Sequence, residues 1–236
     1  MDIVEAIQQR KSIRAFKPQA VPQEILKEIM GVALRAPSWA NTQPWQFAIV
    51  SGEKLEEIRE AFIEKAEKQV NPDFPPPQKF PEPYDTRRRV IGRNLFKIMG
   101  ISREDKERRQ WWQLQGLTLF EAPSAIYIYI DRSFYLQGDG LNIWPVFDCG
   151  LIAENIMLLA TKYGLGTIPQ IQAVFYPDAL RKILGISDSK LILLGIAIGY
   201  PDWDEPVNQL CSEREPLDRV AEWCGFDQFI KGPQDR

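Results

Sequence analysis

A short basic segment near the start of the chain has the side chains needed to bind a charged, oxygen-rich ligand. Arg10-Lys11-Ser12-Ile13-Arg14 places two guanidinium groups and a hydroxyl within five residues, directly after an apolar helical pattern. Arginine presents a rigid fork of N–H donors that fits phosphate and similar oxygens. A basic cluster after a helix also complements the helix dipole, so this segment alone is compatible with an anion site or with a stabilised helix end.

A second segment, APSWANTQPW at 36–45, is richer in functional groups than a simple connection requires. It holds two prolines, two tryptophans and four side chains that form hydrogen bonds, and it lies between a helical pattern and an apolar strand. Ser38 could cap a turn and Asn41 could close one through its own backbone. The alternative is that both side chains contact a ligand.

These two segments and two later ones resemble the signatures of one family. RKSIRAF and APSWANTQPWQF are similar to the R-x-S-x-R and P-S-x-x-N-x-Q-P-W patterns of the FMN-dependent nitroreductase family. AENIMLLATKYGLGTIP resembles the central helix of that family and the loop after it, and GYPDWDEPVNQLCSEREPLD resembles its C-terminal phosphate-binding segment. Four blocks in the family's order cover most of the chain and leave about 71–120 unmatched, which makes the resemblance more specific than any single motif.

The resemblance implies a bound FMN held by basic residues from both ends of the chain. Arg10 and Ser12 would bind the FMN phosphate and ribityl chain, and Arg214, in SEREP, would be a second phosphate ligand. Arg14 would lie near the N1/C2 carbonyl end of the isoalloxazine. A fixed cation at that end would stabilise the negative charge of reduced flavin.

The family's members are intertwined homodimers with two FMN sites at the interface, which implies that some contacts come from a second copy of the chain. By this resemblance Pro37, Ser38 and Asn41 would approach the FMN of the other subunit. The expected partners are therefore a second copy of the chain and a small-molecule electron acceptor.

A further group of expected contacts follows the GLGT turn. By the resemblance Pro169, Gln170 and Ile171 would line the flavin ring, mainly through their backbone. Family members often carry an asparagine before the strand at 124 that contacts the flavin, whereas WWQLQG offers Gln113 and Gln115 instead. Which group replaces that asparagine stays open.

The reaction implied by the resemblance is ping-pong hydride transfer through flavin N5. NADH or NADPH would deliver the hydride, leave, and be replaced by an electron-poor acceptor such as a nitroaromatic or a quinone. We expect no catalytic side chain and no metal, because the chain has no histidine and protons can come from water. Reductive dehalogenation or alkene reduction on the same scaffold and a non-catalytic flavin-binding redox module are the alternatives.

Composition narrows the partners and the compartment. The 236 residues include 29 basic and 32 acidic ones, and a net charge of −3 gives no electrostatic footprint for nucleic acid or an anionic membrane. The three cysteines are widely spaced, which is typical of neither a disulfide framework nor a C-x-x-C zinc site. The longest apolar segment, LILLGIAIGY, is about half the length that spans a bilayer. We therefore expect a soluble, cytoplasmic protein.

The elements that must position these residues alternate between helical and strand patterns. The order α-α-β-α, insertion, α-β-α-β-α-β predicts a single α+β domain over 1–236, with a three-layer α-β-α fold and a small central sheet flanked by helices. Helices are predicted from Asp2 to about Lys11, from Pro22 through Ala33, over 53–70, from a cap at Asp148 to Gly164, and over 177–184; strands are predicted at 45–50, 124–130, 167–171 and 190–200.

Two stretches fall outside this pattern. An insertion at about 71–115 begins with six prolines in 71–83, which predicts a loop or lid followed by charged helices. In it Trp111 and Trp112 could stack on an aromatic substrate or pack on the body, and the arginines at 87–89 could meet the 2′-phosphate of NADPH or form a solvated face. The sequence does not rank NADH against NADPH. The tail at about 201–236 is expected to run extended over the surface.

Overall fold

The computed structural model describes residues 1–138 and 140–226. The helices are α1 (Ile3–Gln9), α2 (Gln23–Ala33), α3 (Glu53–Glu64), α4 (Tyr84–Ile98), α5 (Lys106–Leu117), α6 (Arg132–Tyr135), α7 (Trp144–Lys162) and α8 (Pro177–Leu184). The strands are β1 (Gln46–Ser51), β2 (Ser124–Asp131), β3 (Leu136–Gln137), β4 (Gly140–Leu141), β5 (Gly166–Gln170) and β6 (Lys190–Gly199). Four of them form an antiparallel sheet in the order β1-β2-β6-β5, and β3 and β4 pair separately as a hairpin.

Helices cover both faces of this sheet because its strands bury apolar side chains in both directions. On β2, Ile126, Ile128 and Ile130 pack in one core with α2 and α7, whereas Ala125 and Tyr127 pack in a second core with α3, α5 and α8. Successive side chains of a strand point to opposite faces, so an all-apolar strand requires a helix layer on each side. The predicted three-layer α-β-α fold is confirmed.

Several predicted boundaries differ from the structure. The helix expected to begin at Asp148 begins four residues earlier, at Trp144, with Pro145 in its first turn. Asp148 is therefore not a cap: it lies inside α7, buried. The helix expected over 53–70 ends at Glu64, because beyond Phe62 the segment has too few apolar side chains to hold another turn against the core.

Near its first residues, the insertion forms hydrogen bonds to the rest of the domain. The Asp73 carboxylate accepts a hydrogen bond from the Ile192 N–H at 2.7 Å and one from the Arg181 guanidinium at 2.6 Å, and both charged side chains are nearly buried. Residues 71–82 form no helix or strand before α4 and α5, which agrees with the proline pattern. The α6 turn and the β3–β4 hairpin were not predicted.

The tail runs over the surface as irregular backbone with two short 3₁₀ turns, Pro206–Gln209 and Leu217–Arg219. The predicted remainder of the tail, 227–236, lies outside the described residues. Within the described part of the chain, no helix is long and apolar enough to cross a membrane.

Candidate functional site

The basic segment after α1 lies along the edge strand β5. Its Ile13 N–H donates to the Thr167 carbonyl at 3.0 Å, and Ser12 pairs with Thr167 as a parallel bridge. A Cβ placed on Gly166 would lie 2.4 Å from Cγ1 of Ile13, so only glycine permits this approach. Strand β5 therefore positions the backbone segment that carries Arg10, Ser12 and Arg14.

A buried asparagine fastens the tail to the same segment. The Asn208 side chain accepts the Arg14 N–H at 2.8 Å and donates to the carbonyls of Ala15 and Asp202, both at 2.7 Å. Asn208 is 1% exposed, so these three bonds are shielded from water. Sequence reasoning missed this residue, because an isolated asparagine in a polar tail carries no distinctive pattern.

This arrangement places the two ends of the chain at adjoining cavities. The larger cavity, of about 610 Å³, is lined by Arg10, Ile13 and Trp203 together with the turn between α7 and β5. The smaller one, of about 520 Å³, lies between α4 and the tail segment that carries Arg214. Cys211 lines both cavities. The structure thus brings Arg10 and Arg214, from opposite ends of the sequence, to one region.

The arginines of this region carry positive charge that the chain does little to neutralise. Nε of Arg10 is 3.6 Å from Oε1 of Glu154, which is a long ion pair. Arg14 donates to the Ser12 carbonyl at 3.3 Å, and burial lowers the pKa of its guanidinium from the usual value. Among the described residues neither Arg14 nor Arg214 has a carboxylate at ion-pair distance. Such a site favours an anion.

The expected ring-lining residues lie at the end of β5, beside the end of α5. Pro169 is half-buried and Ile171 is exposed. Gln170 is buried; its Nε2 donates to the Gly116 carbonyl at 3.1 Å, and its Oε1 accepts no hydrogen bond from the described residues. Gln113 and Gln115, the sequence's candidates for the missing asparagine, lie on the same last turns of α5.

The loop at 36–45 is held by a carboxylate that sequence reasoning had assigned to a helix cap. The Trp39 N–H donates to Oδ2 of the buried Asp148 at 3.1 Å. The Ser38 hydroxyl accepts the Gln43 N–H at 3.0 Å, so it closes a turn within its own loop. Asn41 is exposed and has a φ of 57°, in the left-handed region that asparagine adopts more readily than most residues.

The three predicted ligand contacts of this loop do not line the two cavities of their own chain. Within residues 1–138 and 140–226, Pro37, Ser38 and Asn41 line neither the Arg10 cavity nor the Arg214 cavity. The single chain therefore brings together only part of the predicted site.

Comparison with known proteins identifies this combination of fold and site. Residues 7–200 match the family model described as the nitroreductase family. The chain belongs to the nitroreductase family.

Individual nitroreductases resemble the chain over almost its whole length. The nitroreductase NfnB of Mycolicibacterium smegmatis is 33% identical over 91% of this chain and 89% of its own. The nitrobenzene nitroreductase of Ectopseudomonas oleovorans is 32% identical over 93% of this chain and 95% of its own. The crystal structure of the FMN and NADPH-dependent nitroreductase NfnB from Sphigopyxis sp. strain HMH superposes with a TM-score of 0.88, at 32% identity, over 96% of this chain and all of that chain.

In this nitroreductase most side chains of the insertion that could have contacted a ligand already have partners within the chain. Trp112 packs on Phe120 with ring centroids 5.4 Å apart, whereas Trp111 is exposed. The three consecutive arginines each pair with a carboxylate: Arg87 with Glu215, Arg88 with Asp85, and Arg89 with Glu82, at 2.9, 2.7 and 2.8 Å. Their pairing agrees with a charged, solvated face rather than with a site for the 2′-phosphate of NADPH.

Proposed function

We propose that this chain is an FMN-dependent NAD(P)H oxidoreductase that reduces nitroaromatic acceptors, with quinones as a second acceptor class. The observation that carries the proposal is the weakly neutralised positive charge of Arg10 and Arg214 at two adjoining cavities, in a member of the nitroreductase family. The names of the relatives favour nitro compounds over the halogenated or activated-alkene acceptors that the scaffold could also serve.

The residues present fit an FMN molecule. Arg10 and Arg214 would supply donors for a phosphate dianion, each from one of the adjoining cavities, and Ser12 lies between two residues that line the larger cavity. The two cavities fall within the size range of sites for small ligands. Arg14 is a partly desolvated cation with no carboxylate at ion-pair distance among the described residues, so an anionic ligand edge beside it would relieve the cost of its burial.

When bound, FMN would supply the redox chemistry, which is the transfer of a hydride from NAD(P)H to the acceptor. The chain's own residues bind and orient the ligand and exclude water. Arg14 supplies a fixed positive charge that favours the reduced, anionic ligand. Pro169, Gln170 and Ile171 would cover one side of the ring through their backbone. The chain has no histidine, and we assign no side chain as an acid, so water supplies the protons.

A homodimer is part of this proposal, because the single chain exposes apolar side chains that need a cover. On α1, Ile3, Val4 and Ile7 are 64, 58 and 54% exposed, and Trp144 and Phe147 are exposed at the start of α7. Ile3, Val4 and Ile7 lie together on one side of α1, and large apolar side chains left exposed in this way favour an interface. In the proposed dimer the loop with Pro37, Ser38 and Asn41 reaches the partner's FMN, which explains why it leaves its own cavities incomplete.

A cytoplasmic location agrees with the remaining observations. The three cysteines are all free thiols, as expected in a reducing compartment. The balanced charge of the chain offers no surface for nucleic acid or an anionic membrane. We therefore expect the enzyme to draw on the cytoplasmic pool of reduced nicotinamide.

The test is anaerobic reduction of the purified protein followed by reoxidation. We expect a yellow protein whose flavin absorbance is bleached by NADPH or NADH and restored by a nitroaromatic such as 4-nitrobenzoate. A parallel panel of a quinone, an enone and a halophenol ranks the acceptor classes. Bound flavin that neither nicotinamide reduces would contradict the proposal and favour a non-catalytic redox module.

A further inference from the structure

A third cavity, separate from the two described above, lies at the elbow between α4 and α5. It has a volume of about 450 Å³ and no carboxylate among its lining residues. Five of the lining side chains are cationic: Arg89, Arg93, Lys97, Arg103 and Arg109. The first three follow one another at i, i+4 spacing and so form one stripe of α4. Residues on the other side of that helix, including Ile91 and Asn94, line the Arg214 cavity instead.

Most of this positive charge is not neutralised by the chain. Arg89 pairs with Glu82 and Asp85, whereas the other four cations have no carboxylate at ion-pair distance among the described residues. The exposed Glu104 lies near the cavity without lining it, and hydrogen bonds, assisted by nearby arginines, lower its pKa. Like charges four residues apart on a helix repel, so an anion in the cavity would stabilise the elbow.

The wall of the cavity suits a planar group as well as an anion. The Arg109 guanidinium lies 4.0 Å from the centroid of the Phe96 ring, and its Nε donates to the Ser102 carbonyl at 2.8 Å, which fixes its orientation. Ile101, almost fully buried, adds an apolar surface. Gly92 leaves part of the wall open, because no heavy atom lies within 4 Å of the position a Cβ would take. Purine rings stack well on such aromatic and guanidinium surfaces.

We propose that this elbow cavity binds the 2′-phosphorylated adenosine end of NADPH, an inference that rests on the proposed function. Cations surround the space for a phosphate dianion, an aromatic wall accommodates adenine, and the proposed reaction requires a nicotinamide dinucleotide. NADH lacks the 2′-phosphate, so the cavity makes NADPH the preferred donor. The unpaired cations of the elbow, rather than the carboxylate-paired Arg87 and Arg88, provide the positive charge for this phosphate.

The test removes two of the unneutralised charges, in the variant Arg93→Gln/Lys97→Gln of the FMN-loaded enzyme. We expect kcat/KM for anaerobic flavin reduction by NADPH to fall about 10- to 100-fold, since each lost charge-assisted hydrogen bond weakens binding. The value for NADH should change less than about twofold, because its ribose carries no 2′-phosphate to lose such a bond. The matched control, Lys27→Gln/Lys182→Gln, removes two exposed charges away from the cavity and should leave both values unchanged.

A second variant and a binding measurement separate this proposal from the function on which it rests. Gly92→Leu fills the cavity wall without changing a charge or adding strain to the helix, and it should also lower kcat/KM for NADPH selectively. Calorimetric titration with 2′,5′-ADP needs no turnover; binding should exceed that of 5′-AMP and weaken in the double variant, even if the protein reduces no acceptor. Equal losses for NADH and NADPH, no preference for 2′,5′-ADP, or weakened 2′,5′-ADP binding with unchanged NADPH kinetics would each overturn the proposal.

Discussion

At the scale of single residues, the arginines of this chain differ in whether a carboxylate neutralises their charge. Arg87 has a carboxylate partner at 2.9 Å, whereas Arg14 has only the Ser12 carbonyl at 3.3 Å. Residue type and spacing indicated an anion site at the R-x-S-x-R cluster, and the structure places its Arg10 at a cavity. They could not predict which arginines stay unpaired, because some partners, such as Glu215 for Arg87, are distant in sequence.

The variant Arg14→Gln tests how much the unpaired charge of Arg14 contributes to FMN binding and to the flavin potential. The amide keeps hydrogen-bonding groups but removes the positive charge, so we expect FMN binding to weaken by about 1 to 2 kcal/mol, roughly 5- to 30-fold in Kd. The potential of the bound flavin should also become more negative, because the reduced anion loses its stabilising cation. Arg14→Lys is the conservative control and should retain most of the potential. Fluorescence titration and a redox titration measure the two effects; an unchanged potential in Arg14→Gln would count against the assigned role.

The cysteines give a second test at this scale. Burial raises the pKa of Cys149 to about 12, whereas Cys211 and Cys224 are exposed. At pH 8 only roughly one in ten thousand Cys149 thiols would be ionised. We expect a thiol reagent to label Cys211 and Cys224 rapidly in the apoprotein and to label Cys149 only after unfolding. Because Cys211 lines both cavities of the proposed FMN site, bound FMN should slow the labelling of Cys211. In the variant Cys211→Ser, FMN should then protect no thiol. Full labelling of Cys211 in the holoprotein would place the ligand elsewhere.

At the scale of elements, the sequence predicted most segments and failed at the contacts between them. Local periodicity identified the strands and helices, but it could not show that Asp148 lies inside α7 and accepts the Trp39 N–H, which comes from a loop more than a hundred residues away. The bonds of Asn208 to the basic segment are equally non-local. Single-sequence patterns carry local information, so such positioning residues become visible only in the folded chain.

Gly166→Ala tests the contact between β5 and the basic segment. The added Cβ would lie 2.4 Å from Cγ1 of Ile13 and 2.8 Å from Cγ of Pro201, so the segment must move. We expect the free energy of unfolding to fall by about 1 to 3 kcal/mol, and FMN to bind more weakly because Arg10 and Ser12 are displaced. In the control Gly31→Ala, inside α2, the Cβ meets no atom within 4 Å, and the change should be neutral or stabilising by up to about 1 kcal/mol. Urea denaturation and FMN titration compare the two variants. If both variants unfold and bind FMN alike, the close approach of Ile13 is not the reason that position 166 needs glycine.

At the scale of the whole molecule, the element order predicted the three layers but not which surfaces stay uncovered. The apolar pattern before Arg10 correctly predicted a helix, yet its Ile3, Val4 and Ile7 side chains are exposed and Ala6 is the buried residue of α1. An apolar helical pattern indicates a face that must be covered, and it does not say whether the same chain or another copy covers it.

The variant Ile3→Glu/Ile7→Glu tests whether a second copy provides that cover. Two carboxylates at the centre of an apolar interface should weaken association by about 4 kcal/mol or more. They leave the folded chain intact, because both side chains are already exposed in it. Sedimentation at micromolar concentration should show a dimer for the unsubstituted protein and a monomer for the variant. FMN affinity should fall at least about tenfold in the monomer, since contacts from the partner's Ser38 and Asn41 are lost. Ile63→Glu, at an exposed apolar position on α3, is the control and should stay dimeric. A variant that is monomeric but binds FMN as tightly as the unsubstituted dimer would show that each chain forms its site alone.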